Sequence, residues 1–239
     1  MNIIPNPFIE NHIKKVWDDN FKRFHETIDE QDFRVQALKK EMGSSNNISI
    51  LEVGCGKGRL LEHFYKGNAK VFGLDLSKNM LASVKKEYNP ILGSATAIPL
   101  KSNSIDLVYA VEALEQIPNT LNVVEEMIRV LKPKGCLLII DRNKLSVSNK
   151  IKENILCRKL KLPILVYLHH KYHEFLNHHL YKRDSPFKEI WFYPWTIKSI
   201  FKRHCNDVKI IYLDKNSLNY LLPFTSHFIL WKGDKSQTE

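Results

Sequence analysis

The stretch Ile50-Leu51-Glu52-Val53-Gly54-Cys55-Gly56-Lys57-Gly58-Arg59-Leu60-Leu61-Glu62-His63-Phe64 decides the fold. An apolar run ends in an acid and three glycines at alternate positions, and a segment with helical spacing follows directly. Glycine permits the positive φ of a tight strand-to-helix turn and lets a ligand approach the backbone without a Cβ in the way. The N–H groups that open the following segment have no partner within it and are free to face the ligand. A dinucleotide-binding turn spaces its glycines GxGxxG to receive a pyrophosphate. Here the spacing is GxGxG behind Glu52, which suits a ligand carrying a cationic amino acid in place of a diphosphate.

Outward from this turn, short apolar runs recur at 48–53, 70–74, 91–92, 105–110 and 136–140. Segments with helical spacing lie between them at 59–65, 78–87 and 121–131, the second with Ser77 as its N-cap. Strands alternating with helices predict an α/β chain with a Rossmann-like, doubly wound, mostly parallel sheet covered on both faces. Pro194 opens a helix through His204, and the runs 208–213 and 226–231 read as an antiparallel pair that completes the sheet. Ahead of the core, 9–42 carries apolar positions spaced for one or two amphipathic helices, closed by the break at 43–47. The chain therefore divides into an N-terminal helical segment (1–43), an α/β core carrying the glycine turn (44–143), a helical cap insertion (144–193) and a C-terminal helix with its strands (194–239).

The second strand reads Lys-Val-Phe-Gly-Leu-Asp and ends at Asp75, where an acid grips the two hydroxyls of a ribose. Gly93-Ser94-Ala95-Thr96 follows strand three, Ser104 to Tyr109 forms strand four, and Leu131-Lys132-Pro133-Lys134-Gly135 turns into strand five. Taken in order, EVGCGKG, VFGLDLS, GSATAIPLKSNSIDLVYA, LEQIPN and EEMIRVLKPKGCLLI resemble the class I S-adenosylmethionine-dependent methyltransferases, specifically the small-molecule, type 11-like branch related to quinone and sterol methylation. The resemblance covers about residues 48–141. It implies S-adenosylmethionine as cofactor, with Glu52 and the backbone at Gly54, Gly56 and Gly58 beside the methionine part and Asp75 on the ribose. It further implies Leu76 packed on the adenine, Ser94 and Ala95 at the adenine edge, and Val111 along the methionine side. Two positions depart from the family. Ser94 replaces a customary Asp, and Gln116 replaces the His of a frequent Leu-Glu-His.

Composition narrows the remaining readings. The 239 residues are 44% hydrophobic and 26% charged, with no apolar run approaching the length of a membrane span and no secretory h-region at the N-terminus. Four cysteines far apart and without CxxC pairing argue against a zinc site or a disulfide framework and fit a reducing cytoplasm. Residues 1–141 balance 18 basic against 18 acidic side chains, whereas 142–239 hold 18 basic and 8 acidic. That one-sided field favours an anionic partner. A small-molecule acceptor, anionic or lipid-like and methylated on oxygen, is the reading adopted. An RNA methyltransferase, with the basic half tracking phosphates, and a non-catalytic cofactor-binding partner protein are the alternatives. Methyl transfer needs in-line alignment and, for some acceptors, a base. In HHKYHEFLNHH (169–179), His170 and His173 are the nominated bases, and in FKEIWFYPWTI (187–197), Trp191 and Tyr193 are the nominated acceptor contacts. No metal is expected: Asp141 and Asn143 lack a further acid-rich strand end.

Overall fold

The computed structural model describes residues 7–43, 46–65, 68–117, 119–143, 192–213, 226 and 228–237. Among these residues seven strands form one sheet: β1 (Ser49–Val53), β2 (Lys70–Asp75), β3 (Pro90–Leu92), β4 (Ile105–Val111), β5 (Leu131–Arg142), β6 (Cys205–Leu213) and β7 (Phe228–Lys235), in the order β3-β2-β1-β4-β5-β7-β6. Strands β1 to β5 pair in parallel, and β7 is antiparallel to both its neighbours. This is the expected mostly parallel Rossmann-like sheet with an antiparallel strand last in the chain. The order reverses between β1 and β4, so the crevice opens at their carboxyl ends, where ligands of such sheets bind.

Among the described residues the α-helices are α1 (Pro7–Asn20), α2 (Phe33–Met42), α3 (Lys78–Leu81), α4 (Thr120–Val130) and α5 (Pro194–His204). Alternation along each strand feeds two cores. Leu51, Val53, Val108, Ala110 and Ile139 face α4 and α5, meeting Val123, Met127, Ile197 and Phe201. Ile50, Tyr109, Leu138 and Ile140 face the other way, meeting Val35 and Leu38 of α2. Strands apolar on both faces are what a doubly covered parallel sheet requires. The indole of Trp231, fully buried, donates to Pro194 O at 2.7 Å and fixes where α5 begins.

Local structure departs from the sequence reading at three places. Residues 59–65 form tight turns with one 3-10 turn, Leu61–His63, in place of a helix. The turn leaves Gly58 by i→i+3 bonds, Leu61 N to Gly58 O and Phe64 N to Leu61 O, both at 3.1 Å, and seals Leu60, Leu61 and Phe64 into the core. The helix expected over 78–87 stops after Leu81, where the ladder shortens to Ser83 N donating to Met80 O. Ser77 is its N-cap, its hydroxyl accepting from Met80 N at 3.2 Å. The 131–135 turn lies inside β5: Ile105 pairs with Leu131 and Leu107 with Cys136, so the extra residues, Lys134 at φ 64 among them, bulge out. The expected cap falls almost wholly on 144–191, outside the described residues. Among the described residues no helix is long and apolar enough to cross a membrane.

Candidate cofactor and active site

The glycine turn and the end of β2 are bound to each other at the carboxyl edge of the sheet. Gly54 N and Cys55 N both donate to Leu74 O, at 2.8 and 3.0 Å, which ties the turn to β2. Gly54 has φ 74, and a Cβ there would stand 2.5 Å from that of Ala113, so the turn closes against the segment after β4. Gly56 differs. At φ 53 its missing Cβ would meet nothing within 4 Å, which leaves a bare backbone cradle facing the crevice. Its N–H donates to Asp75 Oδ2 at 2.8 Å, and Ser77 N donates to Asp75 Oδ1 at 2.8 Å. One carboxylate thus spans both turns, and each oxygen retains a lone pair for a ligand hydroxyl. Burial raises the Asp75 carboxyl above its ordinary range, while the N–H groups of Ser77 and Gly56 pull it back down. An open glycine cradle beside a forked acid fits a nucleoside carrying a flexible cationic tail.

Glu52 closes the floor. It is 2% exposed and accepts from the Tyr109 hydroxyl at 3.0 Å. Desolvation pushes its carboxyl up to about 8, against the lowering influence of Tyr109 and of the Arg59 charge. A buried acid of this kind is stabilised as the anion by an incoming cation. At the far end, the Ser94 and Thr96 hydroxyls bond each other at 2.7 Å, and Asn122 Nδ2 donates to Thr96 O at 2.9 Å. That pins the loop after β3 onto α4. Leu76 and Ala95 are half-buried and Val111 is 6% exposed, all at the carboxyl ends of β2 to β4.

The N-terminal segment reaches the same edge. Asp18 of α1 accepts from the Ser77 hydroxyl and from Asn79 N, immediately after Asp75. Lys57, inside the glycine turn, sits over the Phe21 ring at 5.6 Å and pairs with Glu26 at 3.3 Å. His63 is 3.1 Å from Ile28 O, and Trp17 packs on Phe24 at 5.1 Å.

The sequence reading missed a charged cluster at the ends of β4 and β5. Glu112, at φ 51, contacts Arg34 of α2, Arg59 at 3.4 Å and Arg142 at 3.7 Å. Arg142 Nε also lies 2.9 Å from Glu115, and Arg34 pairs with Asp32 at 2.8 Å. Beneath it Asp141, fully buried, accepts from Glu115 N at 3.1 Å and Arg142 N at 2.8 Å; burial and the neighbouring Glu115 raise its carboxyl well above the usual range. Asn143, also fully buried, donates to Ser226 O at 2.9 Å. The one sequence signal was Arg59 directly behind the glycines; nothing local connects Arg34 or Arg142 to Glu112.

Of the nominated acceptor contacts, Tyr193 caps α5 and stacks on Trp195 at 4.8 Å. His170, His173 and Trp191 lie outside the described residues. Phe192, between the two nominated aromatics, packs edge-on against Trp231 in the core. A cleft lined by Ser102, Asn103, Arg129, Arg203, His204 and Lys235 opens at the opposite, amino-terminal edge of the strands. Its charges serve the fold: Lys235 donates to Ile128 O and Leu131 O, and His204 pairs with Glu125 at 3.0 Å.

Residues 51–139 match the family model described as a methyltransferase domain. A demethylmenaquinone methyltransferase of Lactococcus lactis is 35% identical over 120 residues, which is 46% of this chain and 47% of that protein. A ubiquinone biosynthesis O-methyltransferase of Leptothrix cholodnii is 27% identical over 143 residues, 54% of this chain and 59% of that protein. The chain thus spans about half the length of the curated relatives it matches. Among solved structures, phosphoethanolamine N-methyltransferase 2 of Haemonchus contortus, in complex with S-adenosyl-L-methionine, has a TM-score of 0.63 at 15% identity. The likeness takes in 95% of this chain and 57% of that one.

Proposed function

We propose, from the premise that residues 51–139 are a class I S-adenosylmethionine-dependent methyltransferase domain, that this chain methylates a small-molecule acceptor on oxygen. The observation that carries the reading is the juxtaposition of the open Gly56 turn with the Asp75 carboxylate, which the Gly56 N–H holds at 2.8 Å. When bound, S-adenosylmethionine supplies a methyl group already activated by its sulfonium. The chain's own residues bind, orient and keep water out. Asp75 accepts from the ribose hydroxyls, Leu76 packs on the adenine, and Ser94 and Ala95 meet its edge. Glu52, Gly54, Gly56, Gly58 and Val111 surround the methionine part, with Glu52 balancing its positive charge through the turn. The N-terminal segment, held by Asp18 on Ser77 and by Phe21 on Lys57, covers the crevice. Trp191 and Tyr193 line the acceptor, and His170 or His173 takes the proton of its hydroxyl. The names of the quinone-pathway relatives support a phenolic or quinol-like acceptor. The excess of basic residues in 142–239 supports an anionic or lipid-like one.

Asp75→Ala is the test. The variant is expected to keep its cooperative thermal melt and to lose S-adenosylmethionine binding by calorimetry. Methyl transfer from labelled cofactor to a panel of hydroxylated aromatic acids and quinols then identifies the acceptor. Unchanged cofactor affinity in D75A overturns the ribose assignment.

A further inference from the structure

At the carboxyl ends of β4 and β5, three arginines from three separate elements converge on one carboxylate. Arg34 comes from the first turn of α2, Arg59 from the turn behind the glycines and Arg142 from the last residue of β5. Glu112, their common partner, has φ 51, a conformation that side-chain-bearing L residues rarely adopt. Its N–H donates to Ile140 O at 2.8 Å, so the chain holds this unusual backbone against β5 and aims the carboxylate between the guanidinium groups. Such an outlier at the mouth of a ligand crevice is where a functional device is expected.

The cluster is covered but not sealed. The side chains of Arg59 and Arg142 are 31% and 28% exposed, and that of Glu112 is 17% exposed. Its position is on the reacting side: Ala113, the next residue, is the one that abuts Gly54. Its pairing is also graded. Arg34 keeps Asp32 and Arg142 keeps Glu115 when Glu112 turns away, so Glu112 leaves without stranding either. Three arginines set against Glu112, Asp32 and Glu115 are balanced, and a further anion enters only in exchange for Glu112. Arg59 and Arg142 each hold Glu112 through a single long contact, at 3.4 and 3.7 Å, so the planar, two-pronged geometry that a guanidinium offers a carboxylate is still open to another.

Resting on the methyltransferase reading, we propose that Glu112 is an internal stand-in for a carboxylate of the methyl acceptor. The acceptor's carboxylate docks on Arg59 and Arg142 as Glu112 rotates out, which orients its hydroxyl toward the crevice. The acceptor class is therefore a carboxylated hydroxyl compound, and Arg59 and Arg142 set specificity.

Calorimetry on protein saturated with S-adenosylhomocysteine tests this, with benzoate as the probe, benzamide as its neutral isostere and phenyl phosphate as the alternative oxyanion. Benzoate is expected to bind and benzamide not, with benzoate tighter than phenyl phosphate. Glu112→Gln removes the competing anion and is expected to tighten benzoate about tenfold. Arg142→Gln is expected to weaken it about tenfold while S-adenosylhomocysteine affinity stays within twofold. If R142Q fails to fold, E112Q alone decides. Benzoate affinity unchanged or weakened in E112Q overturns the proposal. So does a loss of S-adenosylhomocysteine affinity in either variant, because the cluster then holds the cofactor's own carboxylate. So does preference for phenyl phosphate. Wild-type protein that binds no S-adenosylhomocysteine refutes the methyltransferase reading itself, and this proposal with it.

Discussion

Glu52→Gln separates what the crevice does for the ligand from what it costs the fold. Glu52 is 2% exposed, with the Tyr109 hydroxyl at 3.0 Å, and burial carries its carboxyl from an ordinary 4.5 up to about 8. The folded chain therefore keeps this proton between those two values, while the unfolded chain has released it. Over that window the folded state binds more protons, so stability falls as pH rises, by about 1.4 kcal/mol per pH unit from this group alone. Below the lower value the contribution vanishes, and above the upper one the loss is complete. At pH 7 it amounts to roughly 3 kcal/mol. A neutral, nearly isosteric amide retains an acceptor for Tyr109 and escapes the penalty. E52Q is thus expected to match wild type near pH 4.5 and to be about 3 kcal/mol more stable at pH 7, a rise in Tm of roughly 6 °C or more for a chain this size. The same variant binds S-adenosylmethionine more weakly, because the cation loses its counter-charge. Urea melts of both proteins at half-unit steps from pH 4.5 to 9 provide the measurement. A stability gap that stays flat across the series refutes the reasoning, because a buried ionisable carboxylate cannot produce it.

The glycines should separate by role. G54A places a methyl 2.5 Å from the Ala113 Cβ at a positive φ, and is expected to lose about 2–4 kcal/mol in a denaturant melt. G56A has the positive φ without the clash, and is expected to lose only about 1–2 kcal/mol while abolishing cofactor binding by calorimetry. S77A removes both the cap on Met80 N and the partner of Asp18; a loss of about 1 kcal/mol is expected, together with faster proteolysis within 7–32.

What could be read from the sequence and what could not divide along a physical line. The strand runs, the glycine turn, the acid that ends β2 and the Ser77 cap are local signals, because each shows in the residue types of a few consecutive positions, although Asp75 is held by Gly56 from 19 residues away. The short α3 and the 3-10 turn at Leu61–His63 escaped because they are set by tight packing behind Gly58, where the missing Cβ leaves 3.2 Å to Leu61 and Val84. Periodicity carries no trace of that constraint. The bulge inside β5 escaped for the opposite reason: Lys-Pro-Lys-Gly reads as a turn, and only pairing with Ile105 and Leu107 shows the strand resuming through it.

The charged cluster illustrates the limit more sharply. Arg34 and Glu112 are 78 residues apart and meet only because α2 packs on the face of the sheet that β4 and β5 also build. In the sequence Glu112 is one acid after an apolar run, its left-handed backbone invisible, and Arg142 is one base beyond a strand. Neither Arg34 nor Glu112 is sealed from solvent, which is what distinguishes the cluster from Asp141 below it: Asp141 has two backbone N–H partners and no exposure, and braces the strand ends. The fold thus sets one buried acid, Asp141 on β5, to hold the edge in place, and leaves the more accessible one, Glu112 just after β4, as the carboxylate that the proposal exchanges.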